Sequence, residues 1–192
     1  KYFGKRLSDQ NVHILDPFTG TGTFITRALQ YFKEQMDAGK ITYQDILRKY
    51  MHELHANEII LLSYYIAAIN IEAVFDEVNG PDRGYKPFDG IVLTDTFEST
   101  ERETLTIDQL FGQNNRRLAK EQATPITAII SNPPYSVGQG NANDNNQNMH
   151  YPQLEKRIEQ TYVENSNSSL SKSSYDSYGK RSRTNVKINC IS

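Results

Sequence analysis

The chain has 192 residues, enough for one hydrophobic core of ordinary size, and its formal charge of −2 excludes a surface built throughout to grip nucleic acid. Its single cysteine, Cys190, excludes a disulfide framework within the chain and a zinc site built on cysteine pairs; His13, His52, His55 and His150 show no ligand spacing, so no metal is expected. No apolar run reaches ~18 residues and no signal-peptide pattern is present, which excludes a membrane-spanning helix and points to a cytoplasmic, bacterial setting.

The first predicted element is the short strand Val12-His13-Ile14-Leu15, which runs into Asp16-Pro17-Phe18-Thr19-Gly20-Thr21-Gly22-Thr23-Phe24 and then a helix. This reads as a cofactor loop. Gly20 and Gly22 let the backbone approach a ligand and take up positive φ. The helix is expected to bury Phe24, Ala28, Leu29, Phe32 and Met36 along one face before Gly39 ends it. A dinucleotide fingerprint would need a third glycine where Ile25 stands, and a phosphate-binding Walker loop would need Gly-Lys-Ser/Thr, which is absent. The loop therefore suits a ligand without phosphates. S-adenosylmethionine fits, because Asp16 at the strand end could help hold its ammonium group.

A helical insertion over 42–50 leads to the strand-like Leu54-His55-Ala56, then Asn57-Glu58 and a second helix over 59–73. Glu58 can accept both hydroxyls of a ribose. It lies farther from the glycines than the ~20 residues of an NAD-type fold, as the insertion requires. A third strand over 90–94 ends in Asp95-Thr96-Phe97; Asp95 can accept from the cofactor's adenine amine, and Phe97 or Ile59 can cover its ring. Residues 98–124 are polar, with one helix expected over 107–123 whose Arg116-Arg117 pair reads as part of a solvated face.

The apolar run 126–131 delivers Asn132-Pro133-Pro134-Tyr135. An exocyclic amine on a purine is a poor nucleophile because its lone pair is delocalised into the ring. The Asn132 side-chain oxygen can accept one amine hydrogen and the Pro133 carbonyl the other, which favours a tetrahedral nitrogen with its lone pair aimed at a methyl donor. No general base is then required. The two prolines stiffen the loop and leave its carbonyls free, and Tyr135 offers a face on which an extruded base can stack, a contact worth about 1–3 kcal/mol. Beyond lie an Asn-rich loop over 138–150, an amphipathic helix over 151–164 and a Ser/Asn-rich linker over 166–174. Residues 171–192 carry five basic residues against one acid, so the rest of the chain is its acidic part.

The ordered set Asp16 to Phe24, Asn57-Glu58, Thr94-Asp95-Thr96-Phe97 and Ser131-Asn132-Pro133-Pro134-Tyr135 resembles the N6-adenine-specific DNA methyltransferases in which the cofactor motif precedes an Asn-Pro-Pro-Tyr corner. The continuation Ser136-Val137-Gly138-Gln139-Gly140 and the segment Tyr175-Asp176-Ser177-Tyr178 are similar to the methylase part of large single-chain helicase-methylase restriction-modification enzymes. That resemblance implies S-adenosylmethionine as donor, adenine in DNA as acceptor, a helicase-like ATPase on the same natural polypeptide, and a recognition domain that supplies most of the DNA contacts. It implies a class-I, Rossmann-like α/β fold, with a largely parallel sheet and helices on both faces.

The chain departs from that family at both ends. It starts at Lys1 without the upstream segment whose aromatic residue closes over the cofactor, and from Gly179 onward it reads like a truncation or a shifted frame. The expected organisation is an incomplete methyltransferase domain over 1–165 and a polar, basic tail over 166–192. Two other readings stand beside methylation of DNA. One is a protein-glutamine methyltransferase, because the same corner can grip a planar amide, although Pro17 argues against it. The other is a catalytically inactive, truncated methylase-like module.

Overall fold

The computed structural model describes residues 4–97, 112–133 and 152–160. The chain divides into two compact units, one formed by Lys1–Asp95 with Thr106–Asn132 and the other by Thr96–Leu105 with Pro133–Ser192.

The first unit is an α/β body around a four-stranded parallel sheet. Its strands are β1 (His13–Asp16), β2 (Leu54–Glu58), β3 (Ile91–Leu93) and β4 (Ile126–Ile129), in the order β3-β2-β1-β4. All three pairings are parallel, and β4 carries a register shift opposite His13/Ile14. Parallel strands need crossovers, and helices supply them: α1 (Thr23–Asp37), α2 (Tyr43–Arg48) and α3 (Leu61–Asn79) between the first three strands, and α4 (Gly112–Gln122) before β4. This is the Rossmann-like α/β architecture the sequence implies.

Strand alternation sorts the side chains between the two faces. Ile14, Leu54, Ala56 and Ile91 face α1 and α3 and join their Ile25, Leu29, Phe32, Ala67, Ile71 and Phe75 in one buried cluster. His55 and Asn57 face the opposite way, toward α4, whose Leu118 and Glu121 are buried. The side chain of Asn114 on α4 also pairs with both the N–H and the C=O of Leu93, so the outer edge of β3 is hydrogen-bonded to a helix side chain in place of a fifth strand.

The insertion between α1 and β2 is helical, as the sequence suggests. Thr42 caps α2 in a reciprocal capping box with Asp45. One π-helical turn, Lys49–Glu53, follows directly and feeds into β2. That turn directs Tyr50 into the core, where its ring stacks on Phe75 with centroids 3.6 Å apart and its hydroxyl donates to the Lys86 carbonyl at 2.8 Å. Lys49 is buried with it. Its ammonium contacts Glu53 at 2.7 Å and donates to the carbonyls of Asp9 and Val12, tying the insertion to the segment that enters β1.

Three expectations are corrected. The buried stripe of α1 is Ile25, Ala28, Leu29 and Phe32, whereas Phe24 is 37% exposed; the 3.6-residue period places Ile25, not Phe24, toward the sheet. Helix α3 starts at Leu61, because Ile60 stays extended with its N–H bonded to Glu58, and it continues past residue 73 to Asn79 before Gly80 ends it. The face of α4 is not wholly solvated: Arg116 is exposed, but Arg117 pairs with Asp89 and donates to the Tyr64 hydroxyl.

In the second unit the described helix is α5 (Pro152–Ile158), within the span expected to be helical. The Asn-rich loop, the Ser/Asn-rich linker and the basic tail lie outside the described residues.

Candidate active site

The carboxyl ends of β1, β2 and β4 place Asp16, Glu58 and the residues leading to Asn132 at one end of the first unit's sheet. The strand order reverses between β1 and β4, and in open parallel sheets ligands bind in the crevice outside such a switch point. Asp16, the last residue of β1, is fully buried. Its Oδ1 accepts the Phe18 N–H at 3.2 Å and the Ser131 hydroxyl at 2.6 Å, while its backbone carbonyl accepts the Thr19 hydroxyl at 2.8 Å. The loop is drawn onto β2 by the Thr19 N–H, which donates to the Asn57 carbonyl at 2.9 Å.

Glu58 closes β2 and is held by two backbone donors. Gly20 N–H gives 2.7 Å to Oε2 and Ile60 N–H gives 2.8 Å to Oε1. A carboxylate offers about four acceptor positions, so two such bonds fix its plane and leave acceptor capacity for a ligand. The two loop glycines have different reasons to be glycine. Gly20 has φ +56 and nothing within 4 Å of an added Cβ, so open space adjoins the backbone there. Gly22 has φ +89, and a Cβ would come within 3.2 Å of the Ala67 carbonyl and the Ile71 side chain. Gly22 thus packs closely on α3, which lets α1 start directly against it.

Around these groups, Pro17 and Thr19 are buried, Phe18 is half-buried, Thr23 is exposed and Ile59 is 59% exposed. Asp95 is half-buried just beyond β3, where the Thr94 N–H extends the ladder to the Glu58 carbonyl. Thr96, Phe97 and Pro133 belong to the second unit, and Pro134 and Tyr135 lie outside the described residues. Asn132 is exposed and closes the first unit.

Sequence reasoning missed the residues that hold these groups. Ser131 was legible only as the neighbour of Asn132. On the other sheet face, His13 Nδ1 lies 3.1 Å from His55 Nε2, and Asn57 donates to Glu121 at 2.9 Å. Burial pushes His55 down to about 3, with His13 and Lys120 adding to the effect, and it pushes Glu121 up to about 7 against the Asn57 hydrogen bond. Helical spacing was the available signal for Glu121, since it shares a face with Asn114 and Leu118. A cleft lined by Met51, His52, His55, Arg117 and Glu121 opens beside this group. None of its lining residues belongs to the strand-end carboxylates. Among the described residues no cluster of His, Cys, Asp and Glu could hold a metal ion, and no helix is long and apolar enough to cross a membrane.

No protein-family profile matches the chain, and no curated protein matches it. Solved structures do. A nuclease-deletion mutant of the Type ISP restriction-modification enzyme LlaGI, in complex with a DNA substrate mimic, is 62% identical with a TM-score of 0.91, over 98% of this chain and 15% of that one. The ATP-dependent Type ISP restriction-modification enzyme LlaBIII, bound to DNA, is 55% identical with a TM-score of 0.90, over 98% of this chain and 13% of that one. DrdV in a DNA complex is 38% identical with a TM-score of 0.80, over 97% of this chain and 17% of that one. In fold and in sequence, along nearly its whole length, this α/β chain is similar to one segment of much longer restriction-modification enzymes.

Proposed function

We propose that this chain is the methyl-transfer segment of a restriction-modification enzyme, and that it modifies the exocyclic N6 amine of adenine in DNA. The observation that carries the reading is the placement of Asp16, Glu58 and the approach to Asn132 at the ends of adjacent parallel strands around the switch point. The likeness to restriction-modification enzymes supports the biological setting.

The residues fit S-adenosylmethionine. Glu58 is presented by two backbone N–H groups with acceptor positions to spare for ribose hydroxyls, and open space adjoins Gly20. Asp16 supplies a buried carboxylate for an ammonium group, Asp95 an acceptor for an adenine amine, and Ile59 an exposed apolar surface for a ring. Pro17, Phe18, Thr19, Gly22, Thr23 and Phe24 shape the loop, with Thr96 and Phe97 as further candidate contacts. When bound, the cofactor supplies an electrophilic methyl group.

The chain's own residues act on the acceptor. The Asn132 carboxamide oxygen and the Pro133 carbonyl accept the two amine hydrogens and localise the nitrogen lone pair; Pro134 stiffens the corner, and Tyr135 stacks on the extruded base. After transfer the methylated nitrogen is a cation whose proton is acidic enough to leave to water. Positioning of donor and acceptor provides most of the acceleration. DNA recognition and a helicase-like ATPase belong, in this proposal, to other parts of a longer polypeptide.

Calorimetric titration of S-adenosylmethionine into this chain tests the cofactor half of the reading. The expected result is saturable binding that Asp16→Ala abolishes while the far-ultraviolet circular dichroism is unchanged. A folded wild-type chain that takes up no S-adenosylmethionine overturns the proposal.

A further inference from the structure

Ser131 directly precedes Asn132, two residues beyond the end of β4, and its hydroxyl meets Asp16 Oδ1 at 2.6 Å across 115 positions of sequence. The hydroxyl donates and the carboxyl oxygen accepts. At 2.6 Å the bond lies at the short end of O–H···O hydrogen bonds. The backbone does not depend on this bond for its course. Ile130 N–H already donates to the Leu15 carbonyl at 3.1 Å, which carries the β1–β4 ladder one residue beyond the strand and brings Ser131 alongside Asp16. The hydroxyl is thus an addition to a connection the main chain has made, and it acts on the carboxylate: Oδ1 receives both the Phe18 N–H and the Ser131 hydroxyl.

We propose that Ser131 is a positioning residue that couples the cofactor carboxylate Asp16 to the catalytic Asn132. The inference rests on the methyl-transfer reading. Ser131 sets the plane in which Asp16 is offered to the ammonium group of the donor. Because Ser131 is bonded to Asn132 through one peptide unit, any adjustment of Asp16 on cofactor binding reaches the residue that grips the acceptor amine. Filling the donor site then orders the acceptor site, and the Ser131–Asp16 hydrogen bond links the two halves of the reaction.

The test compares the wild-type chain with Ser131→Ala, Ser131→Thr, Asp16→Asn and the Asp16→Asn/Ser131→Ala double variant. Affinity for S-adenosylmethionine is read by calorimetry, and the Asn132 side-chain amide, assigned through Asn132→Gln, is followed by nitrogen-15 NMR. Expected are a loss of roughly tenfold in affinity for Ser131→Ala, recovery with Ser131→Thr, and a smaller loss when Ser131→Ala is introduced beside Asp16→Asn. Saturation with cofactor should move the Asn132 amide signal in the wild type and leave it unmoved in Ser131→Ala. A purely structural bond would lower the melting temperature and change neither the signal nor the coupling. Unchanged affinity in Ser131→Ala, or an Asn132 signal that moves equally in both chains, overturns the coupling alone. Absence of binding by the folded wild type overturns the methyl-transfer reading and the coupling with it.

Discussion

Gly20 and Gly22 stand two positions apart in one loop, yet their substitution should separate stability from the cofactor binding proposed above. At Gly22 an added methyl meets α3 and the backbone is left-handed, so Gly22→Ala combines conformational strain with overpacking and should cost about 2–4 kcal/mol. At Gly20 the strain stands alone, about 1 kcal/mol, but the new methyl projects into the open space beside the N–H that presents Glu58. Thermal melts and cofactor titrations should therefore rank the two variants in opposite orders: Gly22→Ala melts lower, and Gly20→Ala binds worse. Equal loss of affinity in two equally stable variants would contradict this division of roles. Asp16 and Glu58 were legible as strand-end carboxylates because each stands where a short strand gives way to a loop and helix. Their partners were not. Ser131 is 115 positions from Asp16, and Gly20 is 38 from Glu58, so local pattern carries no trace of either bond.

At the scale of elements, the seating of α4 on β2 sets a pH response. Glu121, held near 7 by burial, stays protonated in the folded chain where the unfolded chain, with a value of 4.5, is already ionised. It therefore contributes stability below pH 4.5 that is lost as pH rises toward 7. His55 has the opposite sign. Held at about 3 from an ordinary 6.5, it costs stability as pH falls from 6.5. The two slopes oppose one another between pH 4.5 and 6.5. Replacing Glu121 by Gln removes one of them and offers an amide to the Asn57 oxygen, which has no hydrogen-bond partner among the described residues. Glu121→Gln should gain stability with rising pH through that window and exceed the wild type by up to about 3 kcal/mol at pH 8. Denaturant titrations at several pH values check this; coincident curves for the two chains would sink it. The parallel strands and the 42–50 insertion were legible because strand, carboxylate and helix alternate plainly. The length of α3 was not, because apolar residues lie on its exposed as well as its buried face: Leu61, Leu62, Tyr65 and Ile69 are all exposed.

For the whole molecule, the relation to its neighbours is one of part to whole: this chain spans 13–17% of the solved chains it resembles. Between Ile59 and Ile69, Ile59, Ile60, Leu61, Leu62, Tyr65, Ile66 and Ile69 are exposed. The order β3-β2-β1-β4 also has a kinetic side. Closing β1 on β2 encloses far less chain than closing β1 on β4; between loops of 38 and 115 positions the entropic difference is about 1 kcal/mol. The nearer pairing should therefore form first, and on a ribosome β4 also emerges after the other three strands. Pulse-labelled hydrogen exchange during refolding should find the amides of β1 and β2 protected ahead of those of β4, and simultaneous protection would refute that order. In the methyl-transfer reading, the strand ends that carry Asp16 and Glu58 are then paired before Ser131 and Asn132 arrive, so a nascent chain would hold both carboxylates in place while the partner of one and the gripping residue for the acceptor were still to come.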